Sequence, residues 1–214
     1  MESIDNIPCK VVLIGETGVG KTSIIDRYIK NTFDYKVSTT VASTFVSKIF
    51  QYKNLKKTLS FDIWDTAGHE KFRSITTKFY KNASIGILVY DITDKHSFDL
   101  IKNYWYKQLI ESCDENVVIG IAGNKCDLYE KEEVSENEVE EFASSIDAIF
   151  EPTSCKKNEG IDKLFYNCGK KFLENYNPIN FTNKKPDKKF HLDKMKNNSY
   201  EEIETKEKKK KKFC

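Results

Sequence analysis

No apolar run in the 214 residues approaches the roughly 20 that cross a bilayer as a helix, so no membrane-spanning segment is expected. The opening Met1-Glu2-Ser3-Ile4-Asp5 has neither the basic nor the apolar stretch of a secretory leader, and Glu2 stands where N-myristoylation needs glycine. A chain made and kept on the cytosolic side is expected. Its six cysteines, Cys9, Cys113, Cys126, Cys155, Cys168 and Cys214, contain no C-x-x-C pair and no metal-ligand spacing, which argues against a disulfide framework or a zinc module. The first five read as reduced thiols.

Net charge is also small, at +2, but it is unevenly placed. From Asn180 onward twelve lysines face six acids, a surplus of +6 that leaves −4 for everything before it. A nucleic-acid domain carries its positive charge on the folded body, so no nucleic-acid partner is expected here. The length suffices for one well-buried domain and a tail.

What the chain does have is Gly15-Glu16-Thr17-Gly18-Val19-Gly20-Lys21-Thr22, which fits G-x-x-x-x-G-K-[ST]. In that loop backbone N–H groups cradle phosphates, the lysine reaches the outer ones and the hydroxyl meets Mg²⁺. Apolar Lys10-Val11-Val12-Leu13-Ile14 before it reads as a buried strand, and Ser23 to Ile29 after it has helical spacing. The free N–H groups and positive dipole end of such a helix attract an anion. The loop alone leaves ATPases, kinases and GTPases open.

Further along, Asn31 to Thr44 is a polar loop of functional length. Phe45–Phe50 and Leu59–Trp64 alternate as the two arms of an antiparallel hairpin. Ser84–Tyr90 and Val117–Ala122 are continuous apolar runs that suit parallel strands covered on both faces. Helices are expected at 97–112, with Phe98, Ile101, Trp105 and Leu109 inward, at 135–146 and at 159–175, with a short strand at 149–153. Strands alternating with helices give a doubly wound α/β sheet that binds ligands outside the carboxyl ends of its strands. Gly15, Asp65, Asn124 and Ser154 each follow a strand, so the topology gathers them on one edge.

Asn124-Lys125-Cys126-Asp127 closes the fifth strand. The Asp127 carboxylate can accept from N1–H and the 2-amino group of guanine, whereas adenine offers neither donor. Asn124 can brace the phosphate loop, and the stem of Lys125 can lie on the base.

These motifs, with Asp65-Thr66-Ala67-Gly68 and Thr153-Ser154-Cys155-Lys156, make residues 8–176 resemble a small GTPase of the Ras superfamily. Trp64-Asp65-Thr66-Ala67-Gly68, Phe79-Tyr80-Lys81-Asn82-Ala83 and Val89-Tyr90-Asp91-Ile92-Thr93 resemble segments that mark the Rab family. The resemblance implies a mostly parallel P-loop sheet of six strands with one antiparallel edge, about five helices and a disordered tail over 177–214. It implies GTP or GDP held by Gly15 to Ser23, Thr40, Gly68, Asn124, Lys125, Asp127, Ser154, Cys155 and Lys156. Mg²⁺ would sit on Thr22 and Thr40, with Asp65 acting through water. Lys21, Thr40, Gly68 and His69 would serve hydrolysis. Phe45, Trp64 and Phe79 resemble an effector-facing triad, although aromatics in alternating strands also read as core.

Three positions depart from the family pattern: Cys155 stands for alanine, Ala42 for glycine, and His69 for the glutamine that orients the attacking water. An imidazole can hold a water too, so either slow hydrolysis helped in trans or a hydrolysis-deficient GTP-bound scaffold is expected. An ATP-using kinase is disfavoured by Asp127. From Tyr176 the composition turns to Asn, Lys and Glu, a linker with a reach of roughly 35 Å. It ends in five lysines before Phe213 and Cys214. Prenylation of Cys214 beside that basic cluster would anchor the chain to anionic membranes. The resemblance further implies effectors, an exchange factor, an activating protein, an escort protein and a GDP-dissociation inhibitor. The implied place is the cytosol and the cytoplasmic face of endosomal or other vesicular membranes.

Overall fold

The computed structural model describes residues 6–35, 40, 44–66, 79–114 and 116–177. Its strands are β1 (Asn6–Ile14), β2 (Thr44–Tyr52), β3 (Lys57–Asp65), β4 (Ile85–Asp91), β5 (Val118–Asn124) and β6 (Ile149–Thr153). Its helices are α1 (Lys21–Lys30), α2 (Lys95–Leu100), α3 (Tyr106–Ser112), α4 (Glu136–Ser145) and α5 (Ile161–Asn175). The strands form one sheet in the order β2-β3-β1-β4-β5-β6. β2 runs antiparallel to β3, pairing Phe45 with Trp64, and every other neighbour is parallel. The expected six-stranded sheet with one antiparallel edge is therefore found, with five α-helices among the described residues.

Alternation along β1 splits the core. Val12 and Ile14 join Leu88, Tyr90, Ile119 and Ile121 beneath α2, α3 and α4, where Phe98, Ile101, Trp105 and Leu109 are all buried. On the other side the Tyr28 ring of α1 stacks on Phe165 of α5, centroids 3.9 Å apart and planes within 5°. Phe165 also meets the edge of Phe61 on β3.

Two elements differ from expectation. The single helix expected over 97–112 starts earlier, because the Asp94 carboxylate accepts from the His96 and Ser97 N–H groups as an N-cap. A π-helical turn, Ile101–Trp105, then separates α2 from α3. Ile101, Trp105 and Leu109 are four apart, and the wider turn keeps residues at that spacing on the sheet face better than an α-helix does. β1 begins four residues sooner than its apolar run, since Asn6 to Cys9 pair in register with Thr58 to Phe61.

Parallel strands end on one edge. Register sets Leu13 beside Asp65, and Asp91, Asn124 and Thr153 in a row. Backbone contacts divide the chain after Asn175, and of the second part only Tyr176 and Asn177 are described. Among the described residues no helix is long and apolar enough to cross a membrane.

Candidate nucleotide site

The loop between β1 and α1 is held by contacts that exclude side chains. Gly20, the residue before α1, has φ 100°, and a Cβ there would be driven into the Asn124 amide. Gly15 would collide likewise with the Val89 carbonyl. The first turn of α1 is thereby aimed at a cavity of about 390 Å³. Thr17, Gly18, Gly20, Lys21, Thr22, Ser23, Thr40, Asn124, Lys125, Asp127, Cys155 and Lys156 line it.

At the inner end Lys21 Nζ donates to the carbonyls of Gly15 and Glu16, each at 2.8 Å. Burial pulls this ammonium down to about 8, against the opposing pull of Asp65 and Glu16. Thr22 Oγ1 donates to Asp65 Oδ2 at 2.7 Å and lies 2.6 Å from Thr40 Oγ1. Burial raises the Asp65 carboxyl, with Thr22, Lys21 and Thr40 opposing. The second oxygen of Asp65, Oδ1, is buried with no hydrogen-bond partner among the described residues. Thr66 Oγ1 donates to the Leu13 carbonyl at 2.6 Å, fixing the end of β3 on β1.

Two hydroxyls and a carboxylate with a spare oxygen fit a hard divalent cation such as Mg²⁺, which takes oxygen ligands and retains waters. Among the described residues no group of three His, Cys, Asp or Glu side chains could hold a metal alone. A cation here would take its remaining ligands from water and phosphate oxygens.

The outer end is already paired. Asn124 Nδ2 donates to the Val19 carbonyl at 2.8 Å, joining the loop after β5 to the phosphate loop. Its Oδ1 accepts from Thr153 Oγ1 at 3.3 Å and Cys155 Sγ at 3.5 Å. Burial pushes the Cys155 thiol up to about 11. Ser154 Oγ donates to Asp127 Oδ1 at 2.6 Å, which orients that carboxylate. Lys125 has φ 65°, and its ammonium is held 2.6 Å from Asp91 Oδ2. Phosphate-loop and base-loop residues more than a hundred positions apart therefore share one cavity.

Several residues escaped the sequence reading. Arg27 donates to the Cys155 carbonyl at 2.7 Å, Asp91 secures Lys125, and Phe33, Asp34, Tyr35 and Leu128 complete the lining. An arginine in a helix and an aspartate closing a strand carry no local sign of a partner far along the chain. Phe33 and Tyr35, aromatics in a polar loop, were the one signal available.

Phe45, Trp64 and Phe79 form a row with centroid spacings of 5.1 and 5.5 Å. Trp64 and Phe79 pack partly against the core, whereas Phe45 is 42% exposed and Ile49 on the same strand face is 64% exposed. Gly68, His69, Ala42 and Cys214 lie outside the described residues, as does the lysine-rich tail.

Residues 10–174 match the model of the Ras family. The chain is 44% identical over 156 residues to Ras-related protein Rab-22A of Homo sapiens, covering 73% of this chain and 79% of that protein. It is 43% identical to Ras-related protein Rab-31 of Mus musculus, covering 73% and 78%. Against Ras-related protein Rab-21 of Bos taurus it is 41% identical over 165 residues, covering 77% and 73%. With the phosphate loop and the N-K-x-D loop meeting in one cavity, these matches show that the chain belongs to the Rab family of small GTPases within the Ras superfamily.

Proposed function

We propose that residues 8–176 form a switch that binds GTP or GDP with Mg²⁺, recruits effectors in its GTP state and resets by slow hydrolysis. The observation that carries this reading is the bond from Asn124 Nδ2 to the Val19 carbonyl, which couples a guanine-selecting loop to a triphosphate loop. Lys21, which donates to the Gly15 and Glu16 carbonyls, would turn to the outer phosphates. Thr22 and Thr40, with Asp65 acting through water, would hold Mg²⁺, which when bound neutralises phosphate charge. Asp127 would take the two guanine donors, and the backbone N–H groups of Cys155 and Lys156 the base oxygen.

Thr40 and Gly68 would also contact the γ-phosphate, so its loss frees both loops and turns hydrolysis into a change of shape. His69 would orient the attacking water, less well than an amide. Phe45, Trp64 and Phe79 would present the nucleotide state to effectors, with Phe45 exposed at the sheet edge.

The segment 177–214, prenylated at Cys214, would hold the switch on the cytoplasmic face of endosomal or other vesicular membranes. An exchange factor, an activating protein, an escort protein and a GDP-dissociation inhibitor complete the expected partners. His69 in the glutamine position favours a second reading, a GTP-bound scaffold with almost no turnover. Single-turnover phosphate release decides between them. Slow release that rises in His69→Gln supports the switch, whereas no release from the wild type over many hours supports the scaffold. Localisation of the wild type and Cys214→Ser tests the anchor: identical distributions would refute it.

A further inference from the structure

We infer that Arg27 is a positioning residue that sets how long a guanine nucleotide stays bound, by clamping the base loop to the helix that carries the phosphate loop. The inference rests on the guanine-nucleotide reading of the cavity. α1 begins at Lys21 and Thr22 on the phosphate side and ends at Lys30 beside the base loop. From its last turn Arg27 reaches three places at once. Nε donates to the Cys155 carbonyl at 2.7 Å, and Nη1 donates to the Asn31 carbonyl at 2.9 Å and to Asn31 Oδ1 at 3.2 Å. Nη2 lies 3.5 Å from the Lys156 carbonyl.

The consequence follows from peptide geometry. A trans peptide points its C=O and N–H to opposite sides, so holding the Cys155 oxygen fixes the direction of the Lys156 N–H. Cys155 and Lys156 both line the cavity, and the carbonyls that Arg27 holds face α1. The loop is thus presented with its donors already set, which reduces the ordering that binding would otherwise require. Asn31 reinforces the clamp. It adopts φ 53° as the C-cap of α1, and its side-chain oxygen also accepts from Asn158 Nδ2 at 3.3 Å, beyond the base loop. The guanidinium also lies 6.0 Å from the ring of Phe33, another lining residue. A lysine could satisfy one of these carbonyls but lacks the planar fork needed for both sides of the clamp.

The test is release of a fluorescent GDP analogue from the full-length chain with Mg²⁺ present, chased by excess GDP. Arg27→Met, which keeps the stem and loses every donor, should release it about ten- to a hundredfold faster, the effect of losing one charge-assisted hydrogen bond. Arg27→Lys should fall between, and it carries the test if Arg27→Met does not fold. The factor by which EDTA accelerates release should match that of the wild type in either variant, because the metal end is untouched. Wild-type release rates in the variants would overturn the clamp. So would a change confined to the EDTA factor, since Arg27 would then act through the metal end. A wild type that retains no GDP would instead overturn the nucleotide reading itself, and the clamp with it.

Discussion

At the phosphate end of the cavity two buried charges, Lys21 and Asp65, are each pushed toward neutrality by burial, and one carboxylate oxygen has no hydrogen-bond partner among the described residues. At the base end the side chains are held by partners within the protein: Asn124 by Val19, Thr153 and Cys155, one oxygen of Asp127 by Ser154, and the Cys155 carbonyl by Arg27. The first arrangement is costly until an anion and a cation arrive, because buried charges need partners. The second holds its shape beforehand. Affinity and metal dependence should therefore come from the phosphate end, and discrimination between purines from the base end.

The largest test of that division is Asp127→Ala. Its preference for guanine over adenine nucleotides should fall by on the order of 10⁴-fold, the scale on which a hydrogen-bonding pocket rejects an analogue lacking its donors. Competition binding with GDP and ADP measures it, and a preserved preference would place selectivity elsewhere. Thr22→Ala should act at the other end, lowering Mg²⁺ affinity by about 10- to 100-fold with guanine preference intact. Magnesium titration of the GDP complex reads this out. If that substitution altered the choice of base, the two ends would not be separable.

A smaller effect is expected with pH. Burial pulls the Lys21 ammonium down to about 8, and nearby phosphates would hold it charged to higher pH, so binding takes up a proton above pH 8. Nucleotide affinity should be flat below that point and fall about tenfold from pH 7 to pH 9 as the ammonium is lost. Affinity that rises over that range would contradict the buried ammonium. The smallest change is expected for Cys155→Ala. Its thiol gives Asn124 one weak, long bond while Thr153 gives another, so GDP release should change by less than about threefold.

Much of this site could be read from the sequence because its motifs are local. Glycines, a lysine and a hydroxyl within eight residues specify a strand-loop-helix phosphate site, and an apolar run marks the strand after which Asn124 and Asp127 sit. The parallel strands were legible for the same reason: residues buried on both faces leave unbroken apolar runs, as from Ile85 to Tyr90. What was hidden depends on distant partners. The first residues of β1, Asn6-Ile7-Pro8-Cys9, hold a proline and no continuous apolar run and become a strand against β3, while Arg27 gains its role from a loop 128 positions on. The row from Phe45 to Phe79 lies between these cases. Its alternation was visible, yet only the fold shows that Trp64 and Phe79 pack against the core while Phe45 remains exposed.

The most direct test is calorimetric titration of the purified wild-type chain with GDP and with ADP, each in excess Mg²⁺. A base end preset around Asp127 predicts tight binding of GDP and an affinity for ADP weaker by at least about ten-thousandfold. Equal affinities for the two would contradict the account.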